Sequence, residues 1–315
     1  MILCCGESLI DMIPEQTVKD KKGFVPYLGG AIFNTAIGIG RLKCRVGLMS
    51  GISTDIFGQQ LMAELSASNV DTSNAILSDR PATLAFVQLT DGQASYLFYD
   101  ENSAGRMITV EDMPHRLDDV TAFLFGGVSL HCEPGAETYV QFAETRANSS
   151  VVMVDPNIRP SFVSNEPLFR DHMERMFRLA DIVKVSDEDL NWFFPESEST
   201  ETKVAKLQKL GPALVILTCG GSGVRAWKPE GNPIFVDSLK VDVVDTVGAG
   251  DSFNAGFLTS LAEAGLLKKA AIRVISESDI VAALNFGVRT AAITVGRGGQ
   301  IHFGEMNSSN RFIAG

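Results

Sequence analysis

Short runs of apolar residues alternate along this 315-residue chain with longer amphipathic segments. The apolar runs are rich in β-branched side chains, which is typical of strands that are buried on both faces of a sheet. The pattern predicts an α/β fold, with a central, mainly parallel sheet and helices on both of its faces. The predicted strands are Ile2–Cys5, Val46–Met49, Ala122–Phe125, Val151–Val154, Ile182–Val185, Leu214–Leu217 and Ala291–Val295, and the predicted helices are Ala31–Leu42, Asp55–Ser68, Ala136–Asn148, Leu168–Ala180, Lys203–Leu210, Gly250–Ala264 and Ile280–Thr290.

Two segments do not follow this alternation. Gly23–Leu28 is short and mixed in character, and Thr83–Tyr99 consists of two alternating segments around the dipeptide Asp91-Gly92. Asp-Gly between such segments is a strong hairpin signal. We therefore expect a small β-sheet lid inserted into the main domain, with edge strands of the same sheet as the alternative. The expected lid comprises residues 13–28 and 81–100, and the expected main α/β domain comprises residues 1–12, 29–80 and 101–315.

A glycine-rich segment, Asp245–Asp251, lies between the β-like run Leu239–Val244 and the predicted helix Gly250–Ala264. The first amides of a helix have no intrahelical acceptors, and the helix dipole favours negative charge at this end. The segment lacks the Gly-Lys-Ser/Thr of a Walker loop. Asp251 in the first turn would face a bound polyanion, which suits a general base beside a phosphoryl group. The alternative is an ordinary helix start, with Asp251 as a stabilising N-terminal charge.

Paired glycines precede another predicted helix, in the segment Gly29–Asn34. Glycine lets a ligand approach the backbone, and Asn34 lies one turn beyond Gly30, where its amide can donate to and accept from a hydroxyl. Asp11 ends the first strand segment, Gly6–Asp11, at the edge where α/β sheets usually bind ligands. A carboxylate there can hold the vicinal hydroxyls of a sugar. A turn or cap role for Asp11, and tight helix packing for the glycines, are the alternatives.

Charge and cysteine content narrow the classes of partner. The chain has 27 basic and 38 acidic side chains and a formal net charge of −11. Nucleic acids and anionic membranes are bound by basic patches, so we expect neither as a partner. Five scattered cysteines without metal-ligand spacing indicate reduced thiols in a cytoplasmic protein. No apolar run approaches the roughly 18 residues of a membrane-spanning helix.

Two long signatures lie in order along the chain. The first runs from Gly29 to Asp55 and the second from Asp245 to Gly256, with the segments Asp155–Arg159 and Leu217–Gly220 between them. Together they resemble the motifs of the ribokinase-type carbohydrate kinases, and most closely those of their bacterial fructokinases. The similarity extends from Ile2 to about Gly299. It implies a ribokinase-like fold and an enzyme that transfers a phosphoryl group from ATP to a sugar.

The resemblance also implies roles for residues of the two signatures. Asp251 would be the catalytic base that takes the proton of the acceptor hydroxyl. The amides of Gly248, Ala249 and Gly250 would form an anion hole for the transferred phosphoryl group. The sugar would be held by Asp11, Gly29, Gly30 and Asn34.

Further implied roles concern the nucleotide and its metal ions. Magnesium is expected on the ATP phosphates through water. Where relatives have Asn-x-x-Glu near the metal, this chain has Ser186 and Asp189, so Asp189 is the expected magnesium-facing acid, with a helix N-cap as the alternative. Many relatives also bind a monovalent cation such as K⁺, for which Asp245 is the nearest candidate carboxylate. The nucleotide site would be lined by Ser186, Thr218, Gly220 and Gly223.

The segment Phe98–Asp100 bears on the choice of sugar. Relatives that phosphorylate ketodeoxygluconate have an arginine at the position of Asp100, and an aspartate there would repel an acid and accept from hydroxyls. We therefore expect a neutral sugar, D-fructose, with Arg106 and Arg159 as further candidate contacts. A surface salt bridge for Arg106 and a loop-bracing role for Arg159 stay open. The alternatives are kinases of aminoimidazole riboside, ribose or ketodeoxygluconate, and a non-catalytic sensor; an exposed lid edge favours a homodimer.

Overall fold

The computed structural model describes residues 1–17, 20–90, 93–115 and 117–297. Within these residues, nine strands form one sheet in the order β15-β14-β13-β12-β11-β10-β1-β4-β6. The strands from β13 to β6 in this order pair in parallel, and β14 and β15 add an antiparallel edge. These strands are β1 (Ile2–Cys5), β4 (Val46–Met49), β6 (Val70–Asp71), β10 (Ala122–Gly126), β11 (Val151–Asp155), β12 (Ile182–Ser186), β13 (Leu214–Thr218), β14 (Val224–Trp227) and β15 (Ile234–Val236).

Helices cover both faces of this large sheet because successive side chains of a strand point to opposite faces. Cys4 belongs to the core on the side of α1, α7 and α9, and its neighbour Cys5 belongs to the core on the side of α3, α4 and α6. The predicted doubly covered α/β fold is thereby confirmed. The helices are α1 (Ala31–Arg41), α2 (Ile56–Ala67), α3 (Gly135–Arg146), α4 (Glu166–Leu179), α5 (Asp187–Phe193), α6 (Thr200–Gln208), α7 (Ala249–Glu263), α8 (Lys269–Arg273) and α9 (Glu277–Arg297).

A separate small sheet has the strand order β3-β2-β8-β9. Its strands β8 and β9 pair antiparallel with Leu84 opposite Tyr99, as the hairpin signal predicted, although the turn residues 91 and 92 lie outside the described residues. These strands therefore do not edge the large sheet. The small sheet consists of β2 (Leu9–Gln16), β3 (Lys22–Gly29), β8 (Leu84–Thr90) and β9 (Gln93–Tyr99), and a two-stranded sheet is formed by β5 (Gly51–Ser53) and β7 (Ile76–Ser78).

The placement of Asp11 differs from the prediction. The first strand of the large sheet ends at Cys5, and Asp11 lies in β2 of the small sheet, opposite Tyr27 of β3. The non-strand segment 6–8 interrupts the apolar run and lets the chain leave one sheet and enter the other. Asp11 is therefore supplied by the small sheet and not by the carboxyl end of β1.

Two predicted strands are also wrong. Ala291–Val295 belongs to the long helix α9, because Thr290 and Thr294 bond to Ser252 of α7 and hold the β-branched segment in helical geometry. Leu239–Val244 is not a strand, and its apolar side chains are largely exposed. Among the described helices, α9 has the length and hydropathy of a membrane span, which is weak evidence because core helices pass the same test.

Candidate active site

The glycine-rich segment forms the N-terminus of α7. Gly248 caps the helix in the left-handed conformation (φ 76°), which costs glycine little. Gly248, Ala249 and Gly250 are partly exposed, whereas Asp251 in the first turn is only 7% exposed. The Ala249 amide donates to the Thr246 carbonyl (3.2 Å). The helix start is thus partly exposed, with a carboxylate buried directly behind it.

Asp251 has the electrostatic character of a base that works near neutral pH. Burial is the main cause that raises the pKa of its carboxyl to about 6, and the charge of Asp155 raises it further. The hydrogen bond from Asn34 acts in the other direction and lowers this pKa. Asn34 Nδ2 donates to Asp251 Oδ2 over 2.9 Å. A base with this pKa is ionised at pH 7 and still able to accept a proton. This bond therefore joins α1 and α7, the two helices that begin at the glycine-rich segments.

Asp11 and Arg159 lie within electrostatic reach of Asp251. Burial raises the pKa of Asp11 to about 7, with a further rise from the Asp251 charge and an opposing effect of Arg159. The Arg159 guanidinium lies over the ring of Tyr96 in β9, 5.7 Å from its centroid. It also donates to Asn157 Oδ1 over 2.7 Å, so Arg159 braces its own loop as well. Residues of the small sheet, of the loop after β11 and of α7 thus line one polar space.

Glu7 is a buried acid beside this space that sequence analysis did not single out. Its Oε1 accepts the amide of Ala31 (2.8 Å) and its Oε2 that of Ser129 (3.3 Å). A Cβ on Gly30 (φ 106°) would lie 3.0 Å from the Glu7 carbonyl, and one on Gly127 would overlap the Glu7 carboxylate. The packing of Glu7 therefore explains Gly30, in keeping with the tight-packing alternative. The one available signal was an acid directly after a buried strand.

The predicted nucleotide residues lie together at the neighbouring strand ends. Ser186 and Thr218 are register partners in β12 and β13. Gly220 has open space where a side chain would stand, whereas a Cβ on Gly223 (φ 95°) would lie 2.5 Å from the Val236 carbonyl. Gly220 is thus compatible with a ligand above it, while Gly223 is required by the backbone.

Asp189 has the geometry of a helix cap. Its Oδ1 accepts the amide of Ile158 (2.9 Å) and its Oδ2 that of Ser186 (3.1 Å), and the Ser186 hydroxyl accepts the Asp189 amide in return. Burial, followed by the charge of Asp155, raises the pKa of Asp189. Asp245 Oδ1 accepts the Val247 amide (3.0 Å) in the turn before α7. In the part of the chain that the structure describes, no three acids, histidines or cysteines converge on a metal-sized site.

Asp100 and Arg106 form an ion pair, with Asp100 Oδ1 3.1 Å from Arg106 Nη1. Arg106 Nε also donates to the Glu133 carbonyl (2.8 Å). Both side chains line a small cavity that they share with Glu7 and Phe162. Asp100 is therefore not a lone negative charge, and the expected repulsion of a sugar acid is weakened by its cation.

A second buried ion pair joins Lys184 Nζ to Asp155 Oδ2 (3.0 Å), under the N-terminus of α7. Sequence analysis did not predict a role for either side chain. A lysine inside the apolar run Ile182–Val185 was the available signal.

A family model described as "pfkB family carbohydrate kinase" matches residues 1–305. The chain belongs to the pfkB family of carbohydrate kinases. This kinase is 47% identical over 277 residues to a fructokinase of Rhizobium leguminosarum bv. trifolii, covering 88% of this chain and 84% of that one. It is 31% identical over 311 residues to probable fructokinase-7 of Arabidopsis thaliana, covering 96% and 88% of the two chains.

A solved structure agrees with this assignment. The crystal structure of a fructokinase from Xylella fastidiosa with bound ATP is similar to this kinase with a TM-score of 0.86 and 27% identity, over 95% of this chain and 93% of that one. The predicted family, ribokinase-like fold and sugar phosphotransferase activity are thereby confirmed.

Proposed function

We propose that this kinase transfers the γ-phosphoryl group of ATP to the terminal hydroxyl of D-fructose. The observation that carries the proposal is the buried Asp251 carboxylate, bonded to Asn34 and placed behind the amides of α7. The 47% identity to a fructokinase supports fructose as the sugar, and the ATP-bound fructokinase structure supports ATP as the donor.

In the proposed reaction, the γ-phosphoryl group lies against the first amides of α7, and the acceptor hydroxyl lies between it and Asp251. Asp251 takes the hydroxyl proton as the oxygen attacks the phosphorus and ADP leaves. Asn34 orients the carboxylate. The amides of Gly248, Ala249 and Gly250 stabilise the charge on the equatorial oxygens. Asp11 and Arg159 hold the remaining sugar hydroxyls.

Magnesium is the proposed metal cofactor, and the residues present are compatible with it. Because no acidic cluster among the described residues could hold a metal alone, the ion would arrive on the ATP phosphates. Asp189, whose oxygens already accept amides, would contact it through water. When bound, Mg²⁺ neutralises phosphate charge. We propose Asp245 as the carboxylate beside a K⁺ site.

A panel of sugars tests the proposal. Turnover of ATP with magnesium, with and without potassium, would be measured on D-fructose, ribose, aminoimidazole riboside, ketodeoxygluconate and fructose 6-phosphate. Strong turnover on D-fructose alone is the expected result. Turnover on another sugar would retain the mechanism and reject the substrate. Binding of sugar and ATP without turnover on any of them would favour a sensor.

The Asp100–Arg106 pair offers a sharper test of sugar recognition. Asp100→Arg places two guanidinium groups side by side in a partly buried cavity, so we expect lower thermal stability and a loss of about tenfold or more in kcat/KM for D-fructose. The double variant Asp100→Arg with Arg106→Asp restores opposite charges. If this swap recovered both stability and fructose turnover, the Asp100 carboxylate would not contact the sugar.

The small sheet is proposed to close over the sugar as a lid, comprising residues 13–28 and 81–100 together with the first part of β2. Its inner face bears Asp11 and Tyr96, and Phe98 packs on Phe162 with centroids 4.3 Å apart. Closing such a face over the substrate excludes water from the phosphoryl group.

The outer face of the small sheet is apolar. The rings of Phe24 and Phe86 lie 4.9 Å apart, those of Phe86 and Tyr99 5.4 Å apart, and Leu97 opposite Phe86 is 58% exposed. Exposed patches of this kind mark interaction sites. We propose that a second copy of the chain covers this face, and that the kinase is a cytoplasmic homodimer with its five cysteines reduced.

Leu97→Glu tests this dimer. A buried carboxylate at the interface should convert the dimer to a monomer in analytical ultracentrifugation, because an unpaired charge is costly to bury. Leu77→Glu is the matched control, since Leu77 is equally exposed (60%) but lies in β7, outside the small sheet. A wild-type monomer, or an unchanged dimer in Leu97→Glu, would contradict the proposal.

A further inference from the structure

Lys184 is buried in the middle of the large sheet. It lies in β12 among Ile182, Val183 and Val185 and is only 5% exposed. Removing an ammonium group from water is costly even with a partner, and such a pair is weak evidence for stability. The presence of Lys184 in an otherwise apolar strand suggests a role in the site that it faces.

The Lys184 side chain ends beneath the first turn of α7. A Cβ built on Gly250 would lie 3.3 Å from Lys184 Nζ, so the ammonium is adjacent to the Gly250 backbone. Asp155 Oδ2 accepts from Lys184 Nζ (3.0 Å) and from Asn254 Nδ2 (2.6 Å). Asp155 and Asn254 are each 2% exposed, so both anchors are held by the core.

The anchoring leaves unused hydrogen-bonding capacity. Asp155 Oδ1 and Asn254 Oδ1 are buried without a partner in the described structure. A purely structural polar network would be expected to satisfy these atoms. The network instead fixes the position of one cation below the helix start.

We propose that Lys184 is a positioning residue for phosphoryl transfer, whose ammonium strengthens the attraction of the α7 N-terminus for the phosphoryl group and keeps Asp251 ionised. The proposal rests on the proposed role of Asp251 as the base. A fixed cation at this position adds to the partial positive charge of the helix start without reorganisation during the reaction.

The charges around Asp251 determine the direction in which its pKa should change when Lys184 is replaced. Burial raises the pKa of Asp251; the Asp155 charge raises it further, and the Lys184 and Arg159 charges lower it. Burial also opposes the charge on Lys184, but Asp155, Asp189 and Asp251 together raise its pKa above the ordinary value, so it stays protonated. The charge of Asp251 in turn raises the pKa of the carboxyl groups of Glu7 and Asp11 and of the Tyr96 phenol.

The pH profile of kcat/KM for D-fructose should therefore report on Lys184. Asp251 must be ionised to act, so activity falls as pH decreases through its pKa, about 6. Asp11, whose pKa is about 7, contributes to the same limb in every variant, because neither Lys184 nor Asp155 is among the causes of its shift. Removing the Asp155 charge should move this acid limb to lower pH. Removing the Lys184 charge as well should move it back up, by roughly half a unit to one unit.

The decisive comparison is Asp155→Asn against the double variant Asp155→Asn with Lys184→Met. The two differ only in the lysine, whose charge in Asp155→Asn is still supported by Asp189 and Asp251. A neutral replacement of a buried ion pair is often tolerated, so the double variant should fold, which a thermal melt checks. We expect its plateau kcat to be about tenfold to a hundredfold below that of Asp155→Asn, with the acid limb at higher pH.

A second ion pair provides the matched control. Lys269 Nζ lies 2.6 Å from the buried Asp181, which precedes the N-terminal end of β12, whereas Ser186 and the nucleotide residues lie at the other end of that strand. Asp181→Asn, alone and with Lys269→Met, should change the melting temperature without moving kcat or the acid limb. Equal kcat and equal acid limbs for Asp155→Asn and its double variant would overturn the proposal. An inactive wild type, or an active Asp251→Asn, would instead refute the proposed function.

Discussion

Asp251→Asn is expected to lower kcat for D-fructose by about 10³-fold, while sugar and ATP still bind. General-base catalysis contributes roughly 10²- to 10⁴-fold, and asparagine cannot accept the hydroxyl proton at neutral pH. The substitution preserves size and keeps an oxygen for the bond from Asn34 Nδ2. Single-turnover formation of the sugar phosphate and calorimetric titration of each substrate provide the measurement.

The thermal stability of Asp251→Asn should not fall with its kcat. Burial raises the pKa of Asp251, so the ionised carboxylate disfavours the folded state above that pKa, and the native protein gains stability as pH falls from about 6 towards the ordinary value of 3.8. At neutral pH, Asp251→Asn should therefore melt at or above the wild-type temperature. Asp279→Asn, in the first turn of α9, is the control and should leave turnover unchanged. Wild-type turnover by Asp251→Asn would remove Asp251 from the mechanism.

Gly248→Val should lower kcat by about 10²-fold or more. Gly248 is left-handed (φ 76°), a conformation that costs other residues roughly 1–2 kcal/mol and β-branched residues more. The valine is expected to rotate the peptide units out of their positions and misdirect the amides of Ala249 and Gly250. Loss of one such donor typically costs about 10²- to 10³-fold in kcat. Steady-state kinetics at saturating ATP and D-fructose give the measurement.

The same helix supplies a matched control. Gly265 follows the C-terminal end of α7, is also left-handed (φ 69°), and has open space around its Cβ position. Gly265→Val should carry a similar backbone strain and a similar loss of melting temperature, with kcat close to the wild-type value. Equal kcat losses in the two variants would attribute the effect of Gly248→Val to helix stability and not to the amides.

The predicted strands and helices are confirmed where a short apolar run or a capped amphipathic segment was compatible with only one type of secondary structure. Val151–Val154 and the capped helix after Asp55 are examples, extended or shifted by one or two residues. Ala291–Val295 was misassigned because a short β-branched run suits a strand or a buried helix equally. The segment is helical because the threonines Thr290 and Thr294 bond to Ser252, which lies far away in sequence.

The candidate site likewise contains residues that the sequence identified and contacts that only the fold shows. Asp251, Asn34 and the glycines beside them were singled out from the sequence because helix-end chemistry is local, and the resemblance added the roles proposed for them. The direct bond between these side chains joins positions 217 residues apart, which no local pattern specifies. Arg106 could be suspected of a salt bridge, but its pairing with Asp100 emerged only from the fold.

By itself, the sequence determined the alternating α/β architecture, the kinase family and the amide-lined start of α7, because these depend on periodicity, caps and contiguous motifs. Tertiary structure decided which distant side chains share a dielectric environment. Glu7, Asp155 and Lys184 acquire their importance only through burial beside Asp251, where charges that water would screen act on one another across strands. Such coupling depends on three-dimensional distance and solvent exclusion, which the order of residues does not specify locally.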